Sequence, residues 1–445
     1  MSKRSPETGD DEPTTKRIKG RELASKDGVE DKKYDLPEYT AYDELAEQYP
    51  GLQAHLLRRH GPSATGGHKY TMDFKKAEAV RVLNQALLRV YFDLGVVLPS
   101  NALCPAVESR LNYIKWLGHN IVEEMWPGTA VRGLDIGTGA SCIYPLLGAR
   151  YLRGSEFVGT DINEESVAVA RQNVDANSLG GRIQVFLNKD RTTVLPIDSP
   201  GFPLPDHGAD GSIFTFCMCN PPFYESREER QKLRQMKQIG QPTLDTGGKD
   251  DELYTEGGEE AFVGRLVEES AVHRTRIRWY TTMVGKKGTL KPLKAKIREA
   301  GAKHISECSL IQGRTTRWVL AWTFLDKSRF CLDVKRSADD ARSWIEAAMD
   351  ELRIQYGAID GEAVASYMCS AVEKTWTRQW RRQQQRAEAG EPEESGDKRP
   401  VIEFKVAVVR KEQDSSQICM YVEAGYGSNV LMSLYNHLLR KSDKV

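Results

Sequence analysis

The sequence predicts an α/β protein with a mostly parallel central sheet covered by helices on both faces. Three observations carry this reading. Short apolar runs alternate with helix-length amphipathic stretches from residue 131 to about 325. The first run leads into a glycine-rich turn, Gly137-Thr138-Gly139, which opens a helix. The fourth run stops abruptly at Pro221-Pro222. Strands that alternate with helices are joined by crossovers, which bury both faces of the sheet.

The elements follow in chain order. Residues 1–32 are polar and charge-mixed and are expected to be disordered. Their basic clusters, Lys3-Arg4 and Lys16-Arg17-Ile18-Lys19, resemble a bipartite nuclear import signal. Residues 33–125 read as a helical module. Ala79, Val80, Val82, Leu83, Ala86, Leu87 and Val90 recur at helical spacing, and a second helix is expected over 106–125.

The sheet domain is expected over 126–329. Its strands are placed at 131–137, 156–162, 182–188, 211–220 and 276–285, with helices at 164–177, 258–273 and 290–301. Residues 304–313 and 317–326 are close enough to form a terminal hairpin. Between them, 224–256 is a long charged segment with Gly and Pro. Residues 330–445 read as a small C-terminal α+β domain: helices at about 338–356 and 361–388, two strands at 401–409 and 418–424, and a last helix.

Composition narrows the classes. The chain has 445 residues, enough for about two to three domains. Its 63 basic and 63 acidic side chains cancel, which excludes binding to nucleic acid through bulk positive charge but leaves local basic patches open. No apolar run is long enough to span a membrane, and the N-terminus lacks the apolar core of a signal peptide. The eight cysteines form no CxxC pair and are expected to be reduced, buried thiols. Cys217 and Cys219 should share one strand face and pack, and no metal site is expected.

Three motifs carry chemistry. Asp135-Ile-Gly137-Thr-Gly139-Ala-Ser141 joins the first strand to its helix. It lacks the third glycine of a dinucleotide site and the Lys of a phosphate loop. The pattern suits S-adenosylmethionine, a donor without phosphate. Asp161 ends the second strand, where an acid can accept from both ribose hydroxyls or cap the next helix. Asn220-Pro221-Pro222-Phe223 ends the fourth strand and is the most specific signal. The Asn220 side-chain oxygen and the Pro221 carbonyl can each accept one N–H of a planar exocyclic amine, and Phe223 can stack on its ring. Asn-Pro-Pro-aromatic serves adenine N6, guanine N2 and protein glutamine alike.

At this point the chain resembles the methyltransferase-like protein 16 family, the U6 small nuclear RNA adenine-N6 methyltransferases. The matching stretches are Arg110-Leu-Asn-Tyr-Ile-Lys-Trp116, Asp135 through Ala149, and Cys217-Met-Cys-Asn-Pro-Pro-Phe223. Arg278-Trp-Tyr, Gly285-Lys-Lys287 and Gln312-Gly-Arg-Thr-Thr-Arg-Trp318 follow in the same order. The resemblance implies a class I (Rossmann-like) methyltransferase fold. It implies that Arg110, Asp135, Gly137, Gly139, Ser141, Asp161, Thr192 (or Thr193) and Asn220 line the donor site. It also implies that Arg314, Arg317, Lys286 and Lys287 meet RNA, and that 330–445 is a further RNA-binding module. Where the family carries Glu on the second strand, this chain has Asp161.

The leading expectation is methyl transfer to adenine N6 in U6 small nuclear RNA or other structured RNA, in the nucleus. The alternatives are a guanine-N2 or protein-glutamine methyltransferase, and an RNA-binding regulator that uses the donor pocket as a sensor. Basic clusters at Arg58-Arg59-His60, Lys75-Lys76, Arg381-Arg382 and Arg227 through Lys237 are the local patches that phosphate binding requires.

Overall fold

The computed structural model describes residues 16–19, 34–37, 40–58, 70–122, 125, 129–152, 154–205, 212–222, 224–229, 231, 250–312, 315–326, 329–360, 363–377, 379–380, 400–412, 414–422 and 428–442. Its elements begin with β1 (Lys16–Lys19), α1 (Tyr42–Gln48), β2 (Leu56–Arg58), β3 (Tyr70–Met72), α2 (Ala77–Phe92) and α3 (Val107–Asn120). The sheet unit follows as β4 (Arg132–Ile136), α4 (Ile143–Tyr151), β5 (Glu156–Asp161), α5 (Glu164–Ala176), β6 (Ile183–Leu187) and β7 (Phe214–Cys219). It continues with α6 (Asp250–Leu253), α7 (Gly258–His273), β8 (Ile277–Val284), α8 (Leu290–Glu299), β9 (His304–Gln312) and β10 (Thr315–Thr323).

These strands form one sheet in the order β1-β9-β10-β8-β7-β4-β5-β6. From β8 to β6 every pairing is parallel, and β10 runs antiparallel to both β8 and β9. The strand pleat sorts the core. Phe157, Phe216 and Met218 face the cluster under α2–α5, while Leu134, Ile136, Val158, Cys217 and Cys219 face the cluster under α7 and α8. Cys217 and Cys219 therefore pack on one face as their spacing predicts, and burial pushes the Cys217 thiol up to about 12. The tail departs from expectation at Lys16–Lys19, which pair in parallel with β9. A sheet edge offers unpaired N–H and C=O groups that capture a nearby extended segment.

The remaining elements are β11 (Arg329–Val334), α9 (Ala338–Glu351), β12 (Gln355–Ala358), β13 (Ala365–Ala371), β14 (Ile402–Glu412), β15 (Ser415–Tyr421) and α10 (Ser428–Ser442). They form an antiparallel sheet, β11-β15-β14-β13-β12, with its own apolar cluster. The helix expected over 361–388 is corrected: strand β13 occupies its first half, and 381–388 lie outside the described residues. Tyr367, Cys369 and Ala371 alternate inward at the period of a strand, a signal that the helix-forming residues after them obscure. The expectation of eight reduced cysteines also fails. Cys331 and Cys419 lie directly opposite across β11 and β15, with Cα atoms 4.2 Å apart, and are joined as a disulfide. Their separation of 88 residues hides the pairing from the sequence.

Packing of the Phe157 ring sets a sharp steric limit. A Cβ on Gly148 in α4 would lie 2.3 Å from that ring. Gly148→Ala is expected to destabilise the sheet unit by about 1–3 kcal/mol. Phe157→Leu in the same chain should recover part of the loss, which chemical denaturation of both variants would measure.

Candidate active site

β7, β4 and β5 are adjacent and parallel, so their carboxyl ends meet along one edge. Ile136 pairs with Thr160 on one side and Cys219 on the other. The residues that follow in each strand, Gly137, Asp161 and Asn220, are thereby brought together. Open parallel sheets hold ligands at this edge.

The turn after β4 is built for close approach. Gly137 and Gly139 have φ of 71° and 64°, in the left-handed region that a Cβ disfavours. A Cβ on Gly137 would meet nothing within 4 Å, so the space above it is open. Thr138 N donates to Thr160 O at 2.8 Å, and Gly139 N donates to Asp161 Oδ2 at 2.9 Å. Asp161 Oδ1 accepts from Asn163 N at 2.9 Å. The cap of α5 is Asn163, whose side chain accepts from Ser166 N at 3.0 Å. Asp161 is thus a clamp on the glycine turn and not the helix cap.

Asp135 is fully buried, and neither carboxylate oxygen has a hydrogen-bond partner among the described residues. Burial raises its carboxyl to about 7, with Asp161 adding to the rise. Thr138 and Arg110 oppose it, Thr138 from outside hydrogen-bond geometry. An unpaired buried carboxylate is costly, and a bound cation relieves that cost. Ser141 is buried at the end of the same turn.

Asn220 follows β7, and its Oδ1 is buried without a donor among the described residues. Pro221 is buried and Pro222 half-buried, while Phe223 lies outside the described residues. Arg110 projects from α3, with its guanidinium 5.5 Å from the Tyr144 ring centre. On the same helix Tyr113 meets the Thr281 hydroxyl at 2.7 Å, and Thr281 donates to Cys217 O at 2.8 Å. This chain of bonds roots α3 on β7.

Thr192 is exposed and folds onto Asp190, its N–H and hydroxyl both reaching Oδ1. The Thr193 hydroxyl donates to Oδ2 and its N–H to the Asp190 carbonyl, so the one-residue ambiguity in the sequence falls within a single turn. Arg317 pairs with Leu310 in the hairpin and is half-buried. Burial, then Arg110, lowers its guanidinium pKa, and Tyr224 and Glu259 act the other way. Its charge thus interacts with Arg110 and with Tyr224, which follows the Asn-Pro-Pro-Phe motif. Arg314 lies outside the described residues. Lys286 is ion-paired with Glu229, and Lys287 is exposed.

The sequence reading missed several polar residues that fix the loops. Asn173 in α5 accepts from Val97 N and donates to Ala140 O at 3.0 Å, tying the segment after α2 to the glycine turn. Glu259 accepts from Gly285 N and the Thr289 hydroxyl, and Glu269 from Val194 N and Leu195 N. A buried Asn inside a helix and an acid in the Glu256-Gly-Gly-Glu259 run were the available signals. Glu252 Oε2 accepts from Leu103 N at 2.9 Å, beside the same turn.

The residues fit S-adenosylmethionine. The glycines leave open space, and carboxylates surround it to match a cationic donor. Arg110 suits the donor's carboxylate. Among the described residues no group of three His, Cys, Asp or Glu could hold a metal.

Comparison with known proteins decides the family. Residues 24–326 match the model of an RNA methyltransferase family. The chain belongs to that family. It is 34% identical over 380 residues to RNA N(6)-adenosine-methyltransferase mettl16 of Danio rerio, covering 77% of this chain and 76% of the relative. It is 36% identical over 360 residues to the U6 small nuclear RNA (adenine-(43)-N(6))-methyltransferase of Caenorhabditis elegans, covering 77% of this chain and 72% of the relative. It spans 66% of the human relative's length. Among solved structures, the hMettl16 catalytic domain in complex with MAT2A 3'UTR hairpin 1 is 36% identical with a TM-score of 0.56, covering 65% of this chain and 93% of that one. The N-terminal domain of human METTL16 in complex with SAH is 36% identical with a TM-score of 0.51, covering 65% of this chain and 96% of that one. The class I methyltransferase fold that the resemblance implied is the fold observed.

Asp135 gives a test with a defined sign. Its folded pKa lies above the ordinary carboxyl value, so its stabilisation is full below about 4 and is lost as pH rises through about 7. Without donor, the Tm difference between Asp135→Asn and wild type should grow in favour of the variant by at least a few degrees from pH 5 to pH 8. Thermal melts at both pH values check this; a pH-independent difference would refute the raised carboxyl.

Proposed function

We propose that this chain transfers a methyl group from S-adenosylmethionine to N6 of an adenosine in structured RNA, U6 small nuclear RNA first among them. The observation that carries the reading is the buried, unpaired Asn220 Oδ1 at the end of β7, beside the Gly137–Gly139 turn. Buried acceptors are rarely left unpaired, so an N–H supplied by substrate is expected there. Relatives named as adenine-N6 methyltransferases, and a neighbour solved with an RNA hairpin, favour adenosine over guanine N2 and protein glutamine.

The donor supplies a methyl already activated by a sulfonium. The protein's work is then to place the amine. Asn220 Oδ1 and the Pro221 carbonyl each accept one N–H, which fixes the nitrogen and turns its lone pair toward the methyl. Proline holds its own φ, so the Pro221 carbonyl is preset. We assign Phe223 to stacking on the base. Gly137, Gly139, Ser141, Asp135, Asp161 and Arg110 hold the donor, with Thr192 at its rim. Orientation of this kind replaces a strong base, because the amine loses its proton readily once alkylated. Burial keeps Cys217 and Cys219 protonated, which leaves them without a nucleophilic role.

The base must leave its stack to reach Asn220, so a loop, bulge or open strand is the expected target. Arg317, with Arg314, Lys286 and Lys287, is assigned to the RNA backbone. We divide the chain into a tail (1–32), a helical module (33–125), the methyltransferase domain (126–329) and a C-terminal module (330–445) that adds RNA contacts. In that last module Arg336 lies 5.8 Å over the Trp344 ring, in a mixed-charge pocket lined also by Lys335, Asp340 and Asp414. The import-like clusters and the U6-directed relatives support a nuclear location.

Purified chain with methyl-labelled donor and U6 RNA should yield labelled N6-methyladenosine on nucleoside chromatography. Asn220→Ala should lose at least about 100-fold in rate while keeping RNA affinity within about twofold. Label on guanosine, or on protein alone, would overturn the assignment. In a separate binding assay, Arg317→Ala should weaken RNA binding several-fold and flatten its salt dependence; unchanged affinity would remove Arg317 from the RNA path.

A further inference from the structure

One carboxylate beside the glycine turn has no role in the scheme above. Glu252 sits in the short helix α6, far along the chain from the donor motifs. Its Oε1 lies 3.5 Å from the position a Cβ on Gly139 would take, while Oε2 accepts from Leu103 N at 2.9 Å. The acid therefore overhangs the second glycine of the turn, with one oxygen engaged by the segment that precedes α3.

The chain that carries Glu252 is bonded directly to the catalytic motif. Tyr224 N donates to Leu253 O at 3.1 Å, and Thr255 N donates to Tyr224 O at 3.0 Å. Tyr224 and Tyr254 bring their rings within 6.3 Å, and Arg227 pairs with Asp250 at 2.7 Å. Residues 250–255 are thus laced to the residue that follows Phe223, and Glu252 is an acid of this segment that reaches the turn.

The donor's amino-acid end carries an ammonium and a carboxylate. Arg110 answers the carboxylate, and in the scheme so far only Asp135, fully buried at the end of β4, is left to answer the ammonium. Charge-assisted hydrogen bonds are about twice as strong as neutral ones, and a second acid placed at the turn itself is a matching partner. We propose that Glu252 is a donor-binding and positioning residue whose carboxylate takes the α-ammonium of S-adenosylmethionine. A donor bound there adds a tie to residues 250–255, which are bonded through Tyr224 to the chain just after the Asn220–Pro222 segment.

This inference rests on the donor site proposed above, and calorimetry separates the two. Wild type, Glu252→Gln and Glu252→Ala are titrated with S-adenosylhomocysteine, which keeps the ammonium, and with 5′-methylthioadenosine, which lacks the whole amino-acid end. Gln keeps an acceptor for Leu103 N, so the segment stays anchored. Glu252→Gln should weaken S-adenosylhomocysteine about 10- to 50-fold and leave 5′-methylthioadenosine within about twofold. Equal loss of both ligands in both variants would reduce Glu252 to a structural tie and overturn the inference, as would no loss of either. Failure of the wild type to bind either ligand would instead overturn the donor-site reading itself.

Discussion

The parallel pairing of β7, β4 and β5 is the constraint on which the site depends. One register, Cys219 to Ile136 to Thr160, ends three strands at the same level. Successive side chains in a strand point to opposite faces, so the buried alternation under the two helix layers fixes that register against slippage by one residue. A slip would move Leu134, Ile136, Cys217 and Cys219 from one apolar cluster to the other. It would also separate the glycine turn from Asp161 and Asn220. Core packing and site geometry are therefore the same interaction viewed from two ends.

The loops at that edge are held by buried and half-buried polar side chains that bond to backbone. Asn173, Glu259, Glu269, Asp161 and Glu252 each satisfy N–H groups of a segment distant in sequence. Such bonds contribute only about 1 kcal/mol net, or somewhat more for charged acceptors, but leaving their partners unmade costs more. The exceptions are instructive. Asp135, Asn220 Oδ1 and the Tyr144 hydroxyl beside Arg110 are buried polar groups that stay unpaired among the described residues. The fold satisfies what shapes the site and leaves open what ligands complete.

Much of this was legible in the sequence. The strands and helices from 131 to 325 fall within a few residues of their expected places, because period-2 and period-3.6 patterns are strong where both sheet faces are buried. Asp135, Gly137, Gly139, Asp161 and Asn220 were readable because each sits at a strand end. What escaped had no local signature. Cys331 and Cys419 meet only through antiparallel pairing across 88 residues. Strand β13 was masked by the helix-forming residues that follow it. Glu252, in the charged 224–256 segment, and Glu259, in the following helix, carry no local sign of the backbone groups they bond. The bond from the Gly139 amide to Asp161 is likewise invisible locally, since the two are 22 residues apart.

The zero net charge poses a question of electrostatics that the mouth of the site answers. Lys286 and Arg227, which by sequence looked available to phosphate, are paired with Glu229 and Asp250. The Arg227–Asp250 pair is exposed, and such pairs are worth about 0–1 kcal/mol, so exchanging its carboxylate for a phosphate gains little; Lys286 is half-buried against Glu229. Arg317 is in a different position. It is half-buried and its charge is disfavoured by burial and by Arg110. In the proposed reading, an anion close to Arg317 offsets the cost that burial and Arg110 place on its charge, in a medium of lowered dielectric where the gain is larger than at the surface. A neutral protein can then favour RNA through a few crowded cations rather than through bulk charge, and a contact of that kind at Arg317 would tie backbone recognition to the geometry of methyl transfer.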